Sequence, residues 1–411
     1  MNNLLKRIRY YPRFGLIMLA YIAFIALGMP DGLLGVAWPS IRHGFGVPLD
    51  ALGYLWAVSI TGYILSAFFS GRVTAWLGVG KVLAISCLMT GIGLIGYTLV
   101  PQWWMMVALG ILSGLGAGAI DTGLNAYVEA HFNPGLMQWL HACYGIGITG
   151  GPLIMTYGLN VFANWRPGYI VVGSLQLILA LVFTLTLPKW KDDGATGNNE
   201  KSLRETGKGI KLGETLREGQ VWMGLIQFLL YVGSEVSIGT WTYTLLTESR
   251  NIEPEIAGLL TGSYWGMFTV GRIIAGLFAR RIGINKLVLG SLVLAFIASL
   301  LLWWNPAEWS NIAAIAMVGL AIAPIFPALV SGTSQRVGEK HAANTIGIQM
   351  AASGLAAVVI ALVGVLARRI SLEIIPLCLV VLFGLQIGIY VTGMRQRRKK
   401  INKAIGQSIK I

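Results

Sequence analysis

Asp31, Asp121 and Glu235 lie inside long apolar runs of a 411-residue chain that otherwise keeps its charges in the gaps between such runs. A carboxylate at bilayer depth costs roughly 2.5–3.5 kcal/mol even on a lenient insertion scale, so three retained acids point to binding or to proton movement. The competing reading for each is a protonated or hydrogen-bonded packing residue. Spacing adds to the case for Asp121: Asp121, Asn125 and Glu129 recur every four positions and share one helix face, a polar stripe suited to a cavity wall. Glu129, close to the end of its run, reads as a solvated or latch-forming acid. Gln138, His141 and Tyr144 share a face of the next run in the same way. A histidine there could hydrogen-bond a hydroxyl or relay protons, the alternative being a satisfied packing residue.

Aromatic residues beside polar ones extend the candidate set. Tyr231, Trp241 and Tyr243 fall in one later run and Tyr264, Trp265 and Phe268 in the next, while Asn344, Gln349 and Ser353 offer neutral hydrogen-bonding groups in another. An aromatic face with carboxamide and carboxylate partners suits a polyol, whose C–H face is apolar and whose rim is all donors and acceptors. Trp and Tyr also anchor at membrane interfaces, the reading that fits Trp103, Trp104, Trp303, Trp304 and Trp309. Pro30 before Asp31, and Pro324 and Pro327 later, could free backbone carbonyls to line a cavity. Cys87, Cys143 and Cys378 stand at no ligand spacing and read as packing residues, with no metal and no cofactor implied. GIGITGG at 145–151 is no nucleotide loop, since no Lys follows in register; its glycines let helices approach closely.

The elements that must position these residues are membrane helices. Mean hydropathy of +0.69 and a charged fraction of 12% exclude a soluble globule, whose charged fraction is near 25%. Apolar runs long enough to span occur at roughly 14–38, 50–71, 81–100, 103–130, 136–161, 168–187, 220–246, 255–279, 286–304, 309–334, 341–367 and 372–394. This predicts an all-α membrane protein of twelve transmembrane helices. The N-terminal arm, the even-to-odd connections, the central segment and the tail hold 26 of the 31 Lys and Arg; only Arg42, Arg166, Arg250, Arg368 and Arg369 fall on the other side. The positive-inside rule then puts both termini in the cytoplasm, and the net charge of +14 is mostly a topology signal. The RQRRKK tail reads as a stop at an anionic lipid surface rather than a nucleic-acid contact. The first run is too long for a removable signal peptide and lacks a cleavage site.

Residues 188–219, rich in Gly, Asn, Lys and Glu, read as a linker with one short amphipathic helix near 210–218. It separates an N-terminal six-helix bundle (1–187) from a C-terminal one with a basic tail (220–411). The halves repeat. GRVTAWLGVGKVL at 71–83 lies over GLFARRIGINKLV at 276–288, matching Gly71 to Gly276, Gly78 to Gly283 and Lys81 to Lys286. GLGAGAID at 114–121 overlies GLAIAPIF at 319–326, and Phe24, Asp31 and Gly35 fall on Phe228, Glu235 and Gly239. Parallel six-span repeats are the build of the major facilitator superfamily, with substrate near the midplane between the halves.

The resemblance becomes specific in GLGAGAIDTGLNAYVEAHF followed by MQWLHACYGIGITGGPL, which is similar to the fourth and fifth spans of the superfamily's fucose–proton symporter branch, including its sodium–glucose relatives. YVGSEVSIGTWTYTLL at 231–246 and APIFPALVSG at 323–332 look like that branch's seventh and tenth spans. The resemblance implies essential acids at Asp31, in GMPDGLLG, and Asp121, in GAIDTGLN. Two departures stand out. His141 replaces the branch's amide, leaving the exact sugar open, and Ala75 stands where the second-to-third loop usually carries an acid, so Arg72 must pair elsewhere or stay solvated.

Together these readings predict a secondary active transporter that couples uptake of a small sugar or similar polar solute to a cation gradient. Protons are the expected coupling ion and sodium the alternative. Asp121 and Asp31 are the expected coupling acids. Asp31, Asn125, Gln138, His141, Tyr144, Glu235, Trp241, Tyr264, Trp265, Asn344 and Gln349 are the expected solute contacts. A drug or organic-cation exporter of the same fold, with Asp31 and Glu235 as counter-charges, is the competing class. A membrane enzyme or receptor is disfavoured because no soluble domain, metal cluster or nucleophile–base pair is evident. Expected partners are the solute and the lipid bilayer, with no nucleic acid and no obligate protein, in a bacterial inner membrane.

Overall fold

The computed structural model describes residues 14–131, 134–190 and 212–408, the side chains of some residues within these stretches excepted. The N-terminal arm to residue 13 and most of the linker, 191–211, lie outside the described residues. Within them all regular structure is helical, in twelve spans. The first six are α1 (Phe14–Phe45), α2 (Leu52–Leu77), α3 (Val79–Leu99), α4 (Trp103–His131), α5 (Pro134–Phe162) and α6 (Arg166–Leu185). The second six are α7 (Gly219–Thr244), α8 (Pro254–Ile282), α9 (Ile284–Trp304), α10 in two pieces (Glu308–Ile322 and Ile325–Ser331), α11 in two pieces (Glu339–Gly354 and Ala357–Arg369) and α12 (Ile374–Ser408). Ten are both long and apolar enough to cross a membrane. The other two, α5 and α8, have 29 residues each, or about 44 Å at the usual helical rise, and polar residues such as His141 and Arg272 interrupt their apolar runs.

Prolines act differently from place to place. Pro30 does not break α1, contrary to expectation. Lacking an N–H, it leaves the Ala26 carbonyl without an intrahelical donor, and the buried Gln176 amide of α6 supplies one at 3.1 Å. Pro324 does interrupt α10; the Ile322 carbonyl at the break accepts from the Tyr231 hydroxyl of α7 at 3.2 Å. The run predicted as one span at 341–367 is also broken, after Gly354, by a tight turn in which Leu355 and Ala356 donate to Ala352 and Ser353.

The chain divides into two compact units, residues 1–203 with 254–262, and residues 204–253 with 263–411. In the first, α1 packs on α5, α2 on α4, and α3 on α4 and α6. The α1–α5 crossing depends on missing side chains. A Cβ at Gly28 would lie 2.9 Å from the Ile148 backbone N, and one at Gly151 would lie 2.9 Å from Gly32 Cα. Beneath these helices Trp190, buried, packs against Tyr127 and Phe183 with ring centroids at 4.7 and 5.4 Å. Cys87 and Cys143 are buried, Cys378 partly so.

In the second unit α7 packs on α11 and α12, and α9 on α10 and α12. One arginine joins four of its helix ends. Arg250, its side chain only 5% exposed, follows the π-helical turn Leu245–Ser249 and pairs with Glu373 at 2.7 Å. It also donates to the Leu302 carbonyl at 2.8 Å and to Asn311 Oδ1. Burial would raise the Glu373 carboxyl, but hydrogen bonds from Arg250 and Ser249 and the charge of Arg250 hold it below its ordinary value. Of the amphipathic helix expected near 210–218, the described residues contain a single turn, Leu212–Thr215. Of the five expected interface tryptophans, Trp104, Trp303, Trp304 and Trp309 are exposed, whereas Trp103 tucks against Trp38 at 5.4 Å.

The internal repeat has a backbone counterpart. Gly78 and Gly283 each form a one-residue connection between consecutive helices, both at φ +81°, and Gly338 does the same at +85° between a short helix, Thr333–Val337, and α11. That left-handed conformation favours glycine.

Candidate functional site

In the first unit the glycine-lined crossing of α1 and α5 brings two predicted residues into contact: the Tyr144 hydroxyl donates to Asp31 Oδ2 at 2.6 Å. Asp31 keeps an exposed surface. Asp121 on α4 is engaged from two directions. The Tyr63 hydroxyl of α2 donates to its Oδ2, and Asn125, one turn on, donates to its Oδ1 at 2.8 Å and to its backbone carbonyl at 3.0 Å. Tyr63 is itself set by a close α2–α4 contact, since a Cβ at Gly118 would collide with the Tyr63 carbonyl. An ionised carboxylate only accepts, and here both oxygens of Asp121 do. A proton added to Oδ2 would make that oxygen a donor as well as an acceptor beside the Tyr63 hydroxyl.

His141 is exposed on α5, its ring edge-on to Phe24 with centroids 5.9 Å apart, and it interacts electrostatically with Asp121. Asp121 in turn acts electrostatically on Asp31. Asp31, Asp121, Asn125, His141 and Tyr144 thus gather in one unit, on three helices. The side chains of Gln138 and Glu129 lie outside the described residues.

The predicted residues of the second unit are placed otherwise. Glu235 on α7 is half-buried, and its backbone carbonyl accepts from the Tyr264 hydroxyl at 2.8 Å. Arg272 of α8, stacked 4.3 Å over the Phe268 ring, acts on it electrostatically. Arg272 belongs to the helix and not to the following connection, where the count of basic residues puts it. Trp241, Tyr264 and Trp265 were expected to offer an aromatic face, yet all three are buried. Trp241 spends its indole N–H on the Ile360 carbonyl at 3.3 Å, and Tyr264 and Trp265 pack edge-to-face at 4.6 Å. Asn344 donates to Thr215 at 3.1 Å, and buried Gln349 accepts from Thr333 at 3.1 Å.

Sequence reasoning missed Tyr63, which reads as an ordinary aromatic in TGYILSAFF. The repeat holds a partial signal. At an offset of 205 (276 minus 71), Tyr63 and Asp121 fall on Phe268 and Phe326, so both members of the hydrogen-bonded pair are aromatic hydrocarbon in the other half. Arg272 was missed because the basic residues that follow it draw it into the loop.

Twelve helices in two repeated sets of six, with acids held by hydroxyl donors inside one set, define a polytopic membrane protein of the transporter class. Comparison with known proteins gives the family. The model of the Major Facilitator Superfamily matches residues 20–361, and the chain belongs to that family. Similar proteins include Bypass of stop codon protein 6 of Saccharomyces cerevisiae (23% identical, over 90% of this chain and 81% of that one). Glucose/mannose transporter GlcP of Bacillus subtilis is 20% identical over 76% of this chain and 78% of its own. Sodium-dependent glucose transporter 1 of Danio rerio is 24% identical over 78% and 59% respectively. Among solved structures, a D-xylose-proton symporter shares the fold at a TM-score of 0.70 and 14% identity, covering 91% of this chain and 97% of that one.

Proposed function

We propose that this protein is a secondary active transporter that moves a small sugar or similar polar solute by coupling it to a proton gradient. The observation that carries the reading is the pair of acid–hydroxyl contacts, Asp31 with Tyr144 and Asp121 with Tyr63, inside one six-helix unit. Asp121, with donors on both oxygens and His141 nearby, is the proton carrier. Its proton is taken on one face of the membrane and released on the other as access alternates. Asp31, with its exposed surface, contacts solute hydroxyls, and Asn125, His141 and Tyr144 add neutral donors and acceptors. The sugar-transporter names among the relatives support a polyol solute. The distribution of Lys and Arg supports cytoplasmic termini.

In proteoliposomes, Asp121→Asn should abolish uphill accumulation yet keep exchange of solute present on both sides, because an amide cannot cycle a proton while the protein still interconverts. Full gradient-driven uptake by that variant would remove Asp121 from the coupling role. Accumulation driven by a sodium gradient at uniform pH would replace the proton with sodium.

A further inference from the structure

A cavity lies wholly within the second unit, at the end where α7 and α9 begin and α12 leaves the bundle. It offers about 40 Å³ to the centre of a water-sized molecule and is lined by Gln220, Gln227, Asn285, Arg336, Tyr390 and Arg397 together with Gln349 and apolar side chains. Among the described residues none that lines it is acidic.

Two of its groups are unsatisfied. Gln227 is 3% exposed, yet neither its amide nitrogen nor its oxygen has a hydrogen-bond partner. A buried amide left without partners on either atom is costly. Arg336 anchors one arm of its guanidinium: Nη2 donates to the Leu329 carbonyl and, at 3.2 Å, to Thr333 Oγ1. The other arm, Nη1, is buried and unpartnered. Burial depresses the Arg336 guanidinium below its ordinary value, Tyr390 partly offsetting it and the like charge of Arg397 adding a smaller push in the same direction. Two cations line one cavity with no carboxylate among its described lining residues, which leaves a place for an anion.

The chemistry narrows that anion. A guanidinium arm and an amide N–H are donors suited to the several oxygens of a tetrahedral oxyanion. The orphaned Gln227 oxygen needs a donor, which a carboxylate or chloride lacks and a hydroxyl supplies. We propose that this cavity binds a hydroxyl-bearing phosphate group, held by Arg336 and Arg397 and read by both ends of the Gln227 amide. Two sources share that chemistry: the glycerol phosphate headgroup of an anionic lipid, since basic pockets between membrane helices hold such headgroups, and a small soluble phosphate.

The test uses the full chain in nanodiscs of phosphatidylcholine alone or with phosphatidylglycerol, titrated with sodium phosphate against sodium chloride of equal ionic strength. The melting temperature is the readout. The expected result is a saturable rise specific to phosphate or to phosphatidylglycerol. Arg397→Gln on α12 and Gln227→Glu on α7, the latter placing a carboxylate where the anion would sit, should each weaken it about tenfold or more. Stabilisation by phosphatidylglycerol that soluble phosphate does not increase identifies the headgroup; equal stabilisation by phosphate in both lipids identifies the soluble ion. The proposal is overturned if neither ligand raises the melting temperature above its control, or if the rise persists undiminished in whichever variants fold.

Discussion

The hydrogen bond from Tyr144 to Asp31, 2.6 Å long, joins residues 113 positions apart and ties α5 to α1 beside the crossing that their glycines permit. Loss of one neutral donor on a carboxylate proposed to contact solute should be felt in binding. Tyr144→Phe is expected to weaken solute affinity about 3- to 10-fold, the equivalent of one ordinary hydrogen bond, measured by titration calorimetry. Affinity that does not change would confine the bond to a structural role.

The crossing itself predicts a contrast between glycines. Gly28→Val must push against the α5 backbone, where even a Cβ would lie 2.9 Å from the Ile148 nitrogen. The folded yield should collapse. Gly150, on the same helix as Gly151, has nothing within 4 Å of a Cβ, so Gly150→Ala should be tolerated or stabilise by about 0.5–1 kcal/mol through helix propensity. Fluorescence-detected size-exclusion chromatography and a melting curve read both, and a well-folded Gly28→Val protein would refute the close approach.

Gln176 and Pro30 form a compensating pair, because the Gln176 amide satisfies a carbonyl that Pro30 leaves open. Gln176→Leu should destabilise by about 1–2 kcal/mol. In a Pro30→Ala background, where residue 30 regains its N–H, the same change should cost much less. A double-mutant cycle on thermal stability measures the difference, and strict additivity would contradict the account.

The Arg250–Glu373 pair makes a prediction in pH. Glu373 titrates below its ordinary value in the folded protein, so its contribution is fully present above about 4.3, the unfolded carboxyl value. It is lost as pH falls through the lower folded value. Glu373→Gln should lower the melting temperature at neutral pH, by the equivalent of about 1–2 kcal/mol. The lower part of the usual range applies because the Glu373 side chain is 44% exposed and screened, although Arg250 is left buried. The gap between variant and wild type should close as pH drops below about 4; a gap that stays constant would assign the loss to packing.

Much of the first unit's site is legible in the sequence because intramembrane acids are rare and Asp121 and Asn125 fall one helical turn apart. Tyr63 is hidden by chemistry: its ring is at home in an apolar run, and only the three-dimensional pairing of α2 with α4 brings its hydroxyl to the carboxylate. The aromatic residues of the second half mislead for the opposite reason. Trp241 and Tyr264 can bury their rings and still satisfy their polar tips on backbone carbonyls, as they do at Ile360 and Glu235, so their amphipathic character does not mark a cavity wall. Helix spans were read well from hydropathy, but the break after Gly354 was not, since a tight turn within an apolar run leaves no polar residues to announce it.

The one-residue connections at Gly78, Gly283 and Gly338 leave no spare chain between the helices they join. A residue inserted at Gly78 has no loop to bulge into and must be absorbed by a helix, where it turns every later side chain by about 100°. Chain length at these points is thereby as strictly held as any buried contact, and insertions and deletions in this protein belong elsewhere.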